Sequence, residues 1–160
     1  MKSSVRLLVI VAVLLGSVAQ RAAELPKYGR AADNRIFAQK LVNDIMAANP
    51  GLVAAGMHCV PPGGEKQAII ASTLNVIGKP SDPEDTLHGS TVIAPSAKFP
   101  KLGVMLPLHD RAGKELGSLA LQFKYQAGED QVKYFAEATA IRDRVAQQIP
   151  ALADLFTTVP

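Results

Sequence analysis

Apolar residues between Ala32 and Asn49 recur every three to four positions, which is the spacing of an amphipathic helix. The positions that carry this period are Ile36, Phe37, Leu41, Ile45 and Met46. Asp33 or Asn34 can cap the start of the helix, and Asn49-Pro50-Gly51 is a sequence that ends one. We therefore predict a first helix over residues 32–49.

Two apolar runs that follow this helix have the length of buried strands. The first spans Leu52 to Val60 and the second Lys66 to Asn75, with the turn Pro61-Pro62-Gly63-Gly64 between them, so we predict a hairpin. The next stretch, Val76 to Ser90, is polar and interrupted by glycine and proline, which is typical of a connector. Within it, one helical turn is expected near Pro83 to Leu87.

Three further strands are predicted after the connector. Thr91 to Ala94 is short, whereas Lys101 to Leu108 and Leu116 to Tyr125 alternate apolar and polar residues with a period of two. Asp and Gly residues within the segment His109 to Glu115 favour a turn. The last two strands should therefore pair antiparallel.

A second helix is predicted from Glu129 onward. Glu129 and Asp130 stand at its start, where the helix dipole favours acidic residues, and Pro150 is expected to kink or end it. Ala151 to Phe156 is expected to add a further helical turn. The apolar stripe of this helix consists of Val132, Phe135, Ala136, Ala138, Ile141, Val145, Ile149 and Leu152.

The order helix, two strands, connector, three strands, helix predicts an α+β fold. An antiparallel five-stranded sheet would have the N- and C-terminal helices packed on one face and the connector or solvent on the other. About 140 residues remain once an export signal is removed, which is enough for one apolar core. We expect a single domain over residues 32–158.

The N-terminus has the three zones of a cleavable signal peptide. Lys2 and Arg6 give a positive start, Leu7 to Leu15 is an uncharged apolar run, and Ser17-Val18-Ala19 provides the small residues that a signal peptidase requires. The run is shorter than the roughly 20 residues of a membrane-spanning helix, so a retained anchor is the weaker alternative. We predict a signal peptide over residues 1–19, a poorly ordered leader over 20–31, and a periplasmic or secreted product.

Export changes what the charge and the single cysteine imply. Loss of Lys2 and Arg6 leaves 15 basic residues against 14 acidic ones, a net charge of +1. No basic cluster with interleaved aromatic residues remains, so we do not expect nucleic acid to be a partner. The lone Cys59 cannot form an internal disulfide and is expected to be a buried, inert core residue.

The run from Val104 to Gly117, VMLPLHDRAGKELG, predicts a strand, an Asp-x-x-Gly turn and a strand that opens with Leu-Gly. Together with the first helix, the strand pair and the connector sequence Ile77-Gly78-Lys79-Pro80, this run resembles the PAS-like fold, in particular the extracytoplasmic Cache-type sensor domains. The run covers about a tenth of the chain, and the element order covers most of it. Unlike the usual sensor, this sequence has no transmembrane helix after the domain, so no membrane span is expected after signal cleavage.

The resemblance implies a small-molecule pocket between the sheet and the connector, with the helices on the other side. The polar side chains expected near it are His58, Ser72, Thr73, Asn75, Lys79, His88, and His109 with Asp110. Ser72, Thr73 and Asn75 have the alternative role of ordinary strand-end residues, and Lys79 that of a solvated loop charge. His109 beside Asp110 could form an acid–base couple, but neighbouring residues at a turn are usually exposed.

The function predicted from these observations is that of a secreted or periplasmic, sensor-like domain that binds a small ligand or a partner protein and does not catalyse a reaction. The sequence has no Gly-x-Ser-x-Gly elbow, phosphate-binding glycine loop, His-Glu-x-x-His or Cys-x-x-Cys. No cofactor is indicated.

Two other functions stay open. A metal- or haem-binding periplasmic protein would use some of His58, Cys59, His88 and His109, although successive strand residues point to opposite faces, so His58 and Cys59 should not reach one ion. An interaction module would instead form a homodimer through the apolar stripe of the second helix.

Overall fold

The computed structural model describes residues 33–81 and 89–160 of the chain. The predicted signal peptide and leader, the helical turn near Pro83 to Leu87 and the candidate ligand-binding residue His88 lie outside these residues. Within them, no helix is both long enough and apolar enough to cross a membrane.

The described residues form a five-stranded antiparallel sheet and three helices, in the order that the sequence predicts. The strands are β1 (Leu52–Cys59), β2 (Ala68–Ser72), β3 (Val92–Pro95), β4 (Lys101–His109) and β5 (Glu115–Lys124). The helices are α1 (Phe37–Ala48), α2 (Gln131–Ala146) and a short 3-10 helix (Leu152–Phe156). The strand order across the sheet is β2-β1-β5-β4-β3, and every neighbouring pair is antiparallel. The predicted α+β class is therefore confirmed.

One face of the sheet carries the apolar core, because the period-two residues of neighbouring strands are in register. Leu119, Leu121 and Phe123 of β5 pair with large apolar residues of β4 and with Leu52, Ala55 and Met57 of β1. Burial of each leucine, methionine or phenylalanine side chain in this set contributes about 1.5–3 kcal/mol. The helices cover this face with their buried residues, which are Leu41, Val42 and Ile45 of α1 and Tyr134, Ala138, Ile141 and Val145 of α2.

The predicted stripe on α2 is divided by the fold. Its residues at successive inward positions pack in the core of the chain's own domain, whereas Val132 and Phe135 are exposed. Dimerisation through this helix would therefore use only the exposed part of the stripe.

The start of α1 differs from the prediction. Neither Asp33 nor Asn34 caps the helix, which begins after Ile36 without a side-chain cap. The amide of Asn34 is used elsewhere, since its Nδ2 donates to the backbone oxygen of Ile70 at 2.9 Å. Asn34 thus contacts β2 instead of completing the first turn of the helix.

Gln39 extends this contact along the same strand. The Oε1 of Gln39 accepts the N–H of Ser72 at 3.0 Å, and its Nε2 donates to the oxygen of Ser72 at 3.2 Å. A strand at the edge of a sheet has one row of backbone groups without a strand partner. The side-chain amides of Asn34 and Gln39, which we call the amide seam, satisfy part of that row on β2.

The turn between β4 and β5 is organised by Asp110. Its Oδ1 accepts the N–H groups of Ala112 and Lys114, each at 2.9 Å, and the N–H of Arg111 donates to the oxygen of Ile149 near the end of α2. Asp110 is buried, so the expectation that it is exposed was wrong. The cause is that its carboxylate supplies the acceptors that the tight turn needs.

The start of α2 has the acidic residues that the sequence predicts. Asp130 is the N-cap, with Oδ1 accepting the N–H of Val132 at 2.9 Å. Glu129 accepts the N–H of Gln126 at 2.7 Å, the hydroxyl of Tyr134 at 2.7 Å and the Nζ of Lys133 at 3.1 Å. These hydrogen bonds, first that from the Gln126 backbone, lower the pKa of Glu129 to about 2.

We expect the Glu129 contacts to make stability depend on pH in the acid range. The folded pKa lies below the value of about 4.3 for an unfolded glutamate, so ionised Glu129 stabilises the folded state above that pH. This contribution is lost as the pH falls toward 2. The midpoint temperature of thermal unfolding should be lower for Glu129→Gln than for wild type at pH 7, and this difference should shrink as the pH falls from about 4.3 to 2. Glu137→Gln, an exposed change on the same helix, is the control, and a difference for Glu129→Gln that stays constant with pH would contradict the expectation.

Candidate functional site

The sheet face opposite the helices is built from small residues. Register places Ala54 and Gly56 of β1 beside Gln122 and Ala120 of β5, and these beside Gly103 and Met105 of β4. Small side chains leave the backbone as the floor of a depression. We call this face the outer face and the depression the trough.

Larger side chains form the walls of the trough. They come from β2, from β4 and from the first residues after β2. These residues lie along the edge of the outer face. The volume is about 270 Å³, and the described residues that line it are Ala54, Ala55, Gly56, His58, Ile69, Ser72, Leu74, Val76, Met105, Ala120 and Gln122. A second depression of about 190 Å³ extends the trough toward β3 and shares Met105, Ala120 and Gln122 with it.

Few polar side chains reach the trough. His58 and Ser72 are buried, whereas Gln122 is partly exposed. The Oγ of Ser72 accepts the N–H of Leu74 at 3.0 Å, and the Oε1 of Gln122 accepts the Nζ of Lys101 at 2.8 Å. Most of the lining is therefore apolar, with polar groups at separate points along it.

The predicted site residues are divided between the trough and the rest of the surface. His58 and Ser72 line the trough, while Asn75 and Lys79 are exposed on the connector and do not. Thr73 joins β1 through its Oγ1, which accepts the N–H of Ala55 at 3.1 Å. His109 is partly exposed at the end of β4, next to the turn that Asp110 organises.

Sequence reasoning missed the floor of the trough and Gln122. Ala54, Gly56 and Ala120 have no chemical group that marks a site. The position of Gln122 could have been found, because the period of two in β5 puts it on the face opposite Leu121 and Phe123.

His58 and Cys59 point to opposite faces of β1, as predicted. Cys59 is fully buried in the core, and burial raises the pKa of its thiol to about 12. Over residues 33–81 and 89–160, no three His, Cys, Asp or Glu side chains come together as a metal site would require. Cys59 therefore cannot join His58 around one ion.

Comparisons by sequence identify no relative. No protein-family model matches the chain, and no curated protein matches it.

Comparisons by structure find similar solved chains. One is a type II free methionine-R-sulfoxide reductase from Thermoplasma acidophilum, with 16% identity and a TM-score of 0.48 over 81% of this chain and 99% of that one. Another is the GAF domain of a two-component sensor histidine kinase from Bacillus halodurans, with 14% identity and a TM-score of 0.49 over 69% and 92%. A third is the GAF domain of an Acinetobacter phosphoenolpyruvate-protein phosphotransferase, with 14% identity and a TM-score of 0.41 over 72% and 83%.

These neighbours include GAF domains. The PAS-like, Cache-type resemblance drawn from the sequence stays a prediction. A reductase and the GAF domain of a sensor histidine kinase are both among the neighbours, and fold alone does not assign an activity. The antiparallel sheet with helices on one face places this chain in the α+β class. The trough on the outer face is its candidate functional site.

Proposed function

We propose that this chain is an exported domain that binds a small, mostly apolar ligand in the trough and catalyses no reaction. The observation that carries the proposal is the trough itself, a concave and mainly apolar surface with a few separate polar groups. Small-molecule sites in proteins have this composition. The trough lies on the face opposite the helices, so most of the apolar core does not line it.

The chemistry of the lining supports binding rather than catalysis. Among the described residues that line the trough there is no Asp, Glu or Cys, and His58 is the one titratable side chain. A general acid and base pair, or a nucleophile with an adjacent base, needs at least two such groups within hydrogen-bond reach. The Ser72 hydroxyl is already an acceptor for the backbone of Leu74.

The N-terminal sequence supports the exported location, since charge, apolar run and small residues follow in the order that a signal peptidase recognises. Mass spectrometry of the exported protein tests this part. Cleavage after Ala19 leaves Gln20 as the first residue, and an intact N-terminus in the exported fraction would contradict it.

Filling the trough is the test of ligand binding. Ala120→Leu places a larger side chain on the floor, away from the core face, and should abolish binding while the unliganded protein still folds. The measurement is a thermal-shift screen of a small-molecule panel with wild type and variant, because a ligand at a hundred times its Kd stabilises by about 2.7 kcal/mol. Compounds that stabilise wild type should have no effect on Ala120→Leu.

Ala47→Leu is the matched control, since it makes the same change at an exposed position of α1. It should respond to the compounds as wild type does. Compounds that stabilise Ala120→Leu as strongly as wild type would place the binding site elsewhere and overturn the proposal.

A further inference from the structure

Two lysines lie side by side on the outer face, one pair of same-face strand partners beyond the residues that line the trough. Lys101 of β4 and Lys124 of β5 are direct partners in the strand register. The period of two puts both on the outer face, in line with Gly103 and Gln122. Gln122 is the trough residue next to this pair in the register.

This arrangement places like charges directly opposite one another, which destabilises a sheet. The contacts that the two ammonium groups make with the described residues do not neutralise their charge. Lys101 Nζ donates to the Gln122 Oε1 at 2.8 Å and lies 5.5 Å from the centre of the Phe99 ring, and Lys124 Nζ donates to the backbone oxygen of Pro50 at 3.4 Å. In the part of the chain that the structure describes, the ion pairs involve Lys40, Lys133 and Arg142, and neither lysine of the outer face has a carboxylate partner.

From this pair we propose that the ligand is a small amphiphilic acid, with its apolar part on the floor of the trough and its carboxylate between Lys101 and Lys124. The inference rests on the proposed function and adds the ligand's chemical class. A bound carboxylate removes the repulsion between the two ammonium groups and accepts a charge-assisted hydrogen bond from each. The Nε2 of Gln122 is a further donor at the same end.

The volume sets how much of the acid the trough can cover. About 270 Å³ equals the liquid volume of roughly nine water molecules, so the trough can cover about that many non-hydrogen atoms of a ligand. Octanoate has this size, while octan-1-ol and octylamine are its neutral and positively charged counterparts. These compounds are suitable probes for calorimetric titration of the wild-type protein.

We expect octanoate to bind wild type more tightly than octan-1-ol, and octylamine to bind least. The double variant Lys101→Gln with Lys124→Gln should weaken octanoate binding by about tenfold and leave octan-1-ol unchanged, because two partly exposed charge contacts are lost. Added salt should weaken octanoate binding to wild type but not octan-1-ol binding.

The control is Lys66→Gln with Lys114→Gln, which removes the same charge from two exposed turns and should leave octanoate affinity unchanged. Unfolding curves of the unliganded variants check that both fold. The inference is overturned if wild type binds octanoate and octan-1-ol with equal affinity and the Lys101 and Lys124 changes leave octanoate affinity unaltered. The proposed function still stands in that case if Ala120→Leu blocks the binding of octan-1-ol. Absence of octanoate binding to wild type also overturns the inference, and the proposed function is then judged by the Ala120→Leu screen.

Discussion

Replacement of Gly117 by alanine is expected to prevent folding or to lower the free energy of unfolding by at least about 4 kcal/mol. Gly117 has a φ of 151°, in a region that L side chains rarely adopt. A Cβ there would overlap with the backbone oxygen of His58 and would lie 3.0 Å from the Cα of Cys59. Since both obstacles are backbone of the neighbouring strand, no side-chain rotation relieves the clash, and β1 and β5 would have to separate.

Gly103→Ala is the matched control, on the next strand of the same sheet. Its Cβ would meet the oxygen of Ala94 at 3.6 Å, an ordinary contact, and its φ is not positive. Its unfolding free energy should stay within about 1 kcal/mol of wild type, because glycine itself is unfavourable in a strand. Denaturant unfolding followed by circular dichroism measures both variants. Equal stabilities for Gly117→Ala and Gly103→Ala would show that the close approach of β1 and β5 is not needed.

Replacement of Gln39 by leucine is expected to lower the free energy of unfolding by about 3 kcal/mol, although leucine is apolar and the site is buried. Leucine leaves the N–H and oxygen of Ser72 without their partners, at about 1–3 kcal/mol for each buried polar group. Gln39 is 1% exposed, so water cannot reach these groups without local opening. Ser72 also lines the trough, and the change should therefore weaken ligand binding as well.

Asn43→Ala is the control. It tests whether stability is lost because the hydrogen bonds between Gln39 and Ser72 are broken or because any side chain of α1 is changed. Asn43 is exposed and accepts a hydrogen bond from the Gln39 Nε2 at 3.1 Å. Its removal should cost less than about 0.5 kcal/mol, as for other surface changes. The same denaturant titration applies, and a Gln39→Leu protein as stable as Asn43→Ala would mean that the amide seam does not stabilise β2.

The strands could be predicted because one of their faces is buried. In β4 and β5 the alternation of leucine, valine and phenylalanine with other residues fixes both the element and the face that packs on the helices. The start of α1 could not be predicted in the same way. Asn34 is a good helix cap by type, yet its amide bonds to Ile70, and the choice between the two partners depends on a strand 36 residues later in the chain.

The candidate site was predictable only where it contains polar side chains on strands. His58 and Ser72 were identified by type, and the structure brings both to the trough. The trough floor consists of alanine and glycine, which occur in every part of a protein, so no pattern marks them. The pairing of Lys101 with Lys124 depends on the register between β4 and β5, which the turn at Asp110 sets and the period of two alone does not.

The division of β1 between two environments has an evolutionary consequence. Gly56 and His58 face the trough, while Met57 and Cys59, their neighbours in the chain, face the core. Under the proposed function, mutations at the first set alter what is bound, and mutations at the second alter how firmly the domain is folded. Ligand preference can therefore diverge among descendants of this protein while selection keeps the alternate positions of the same strand unchanged.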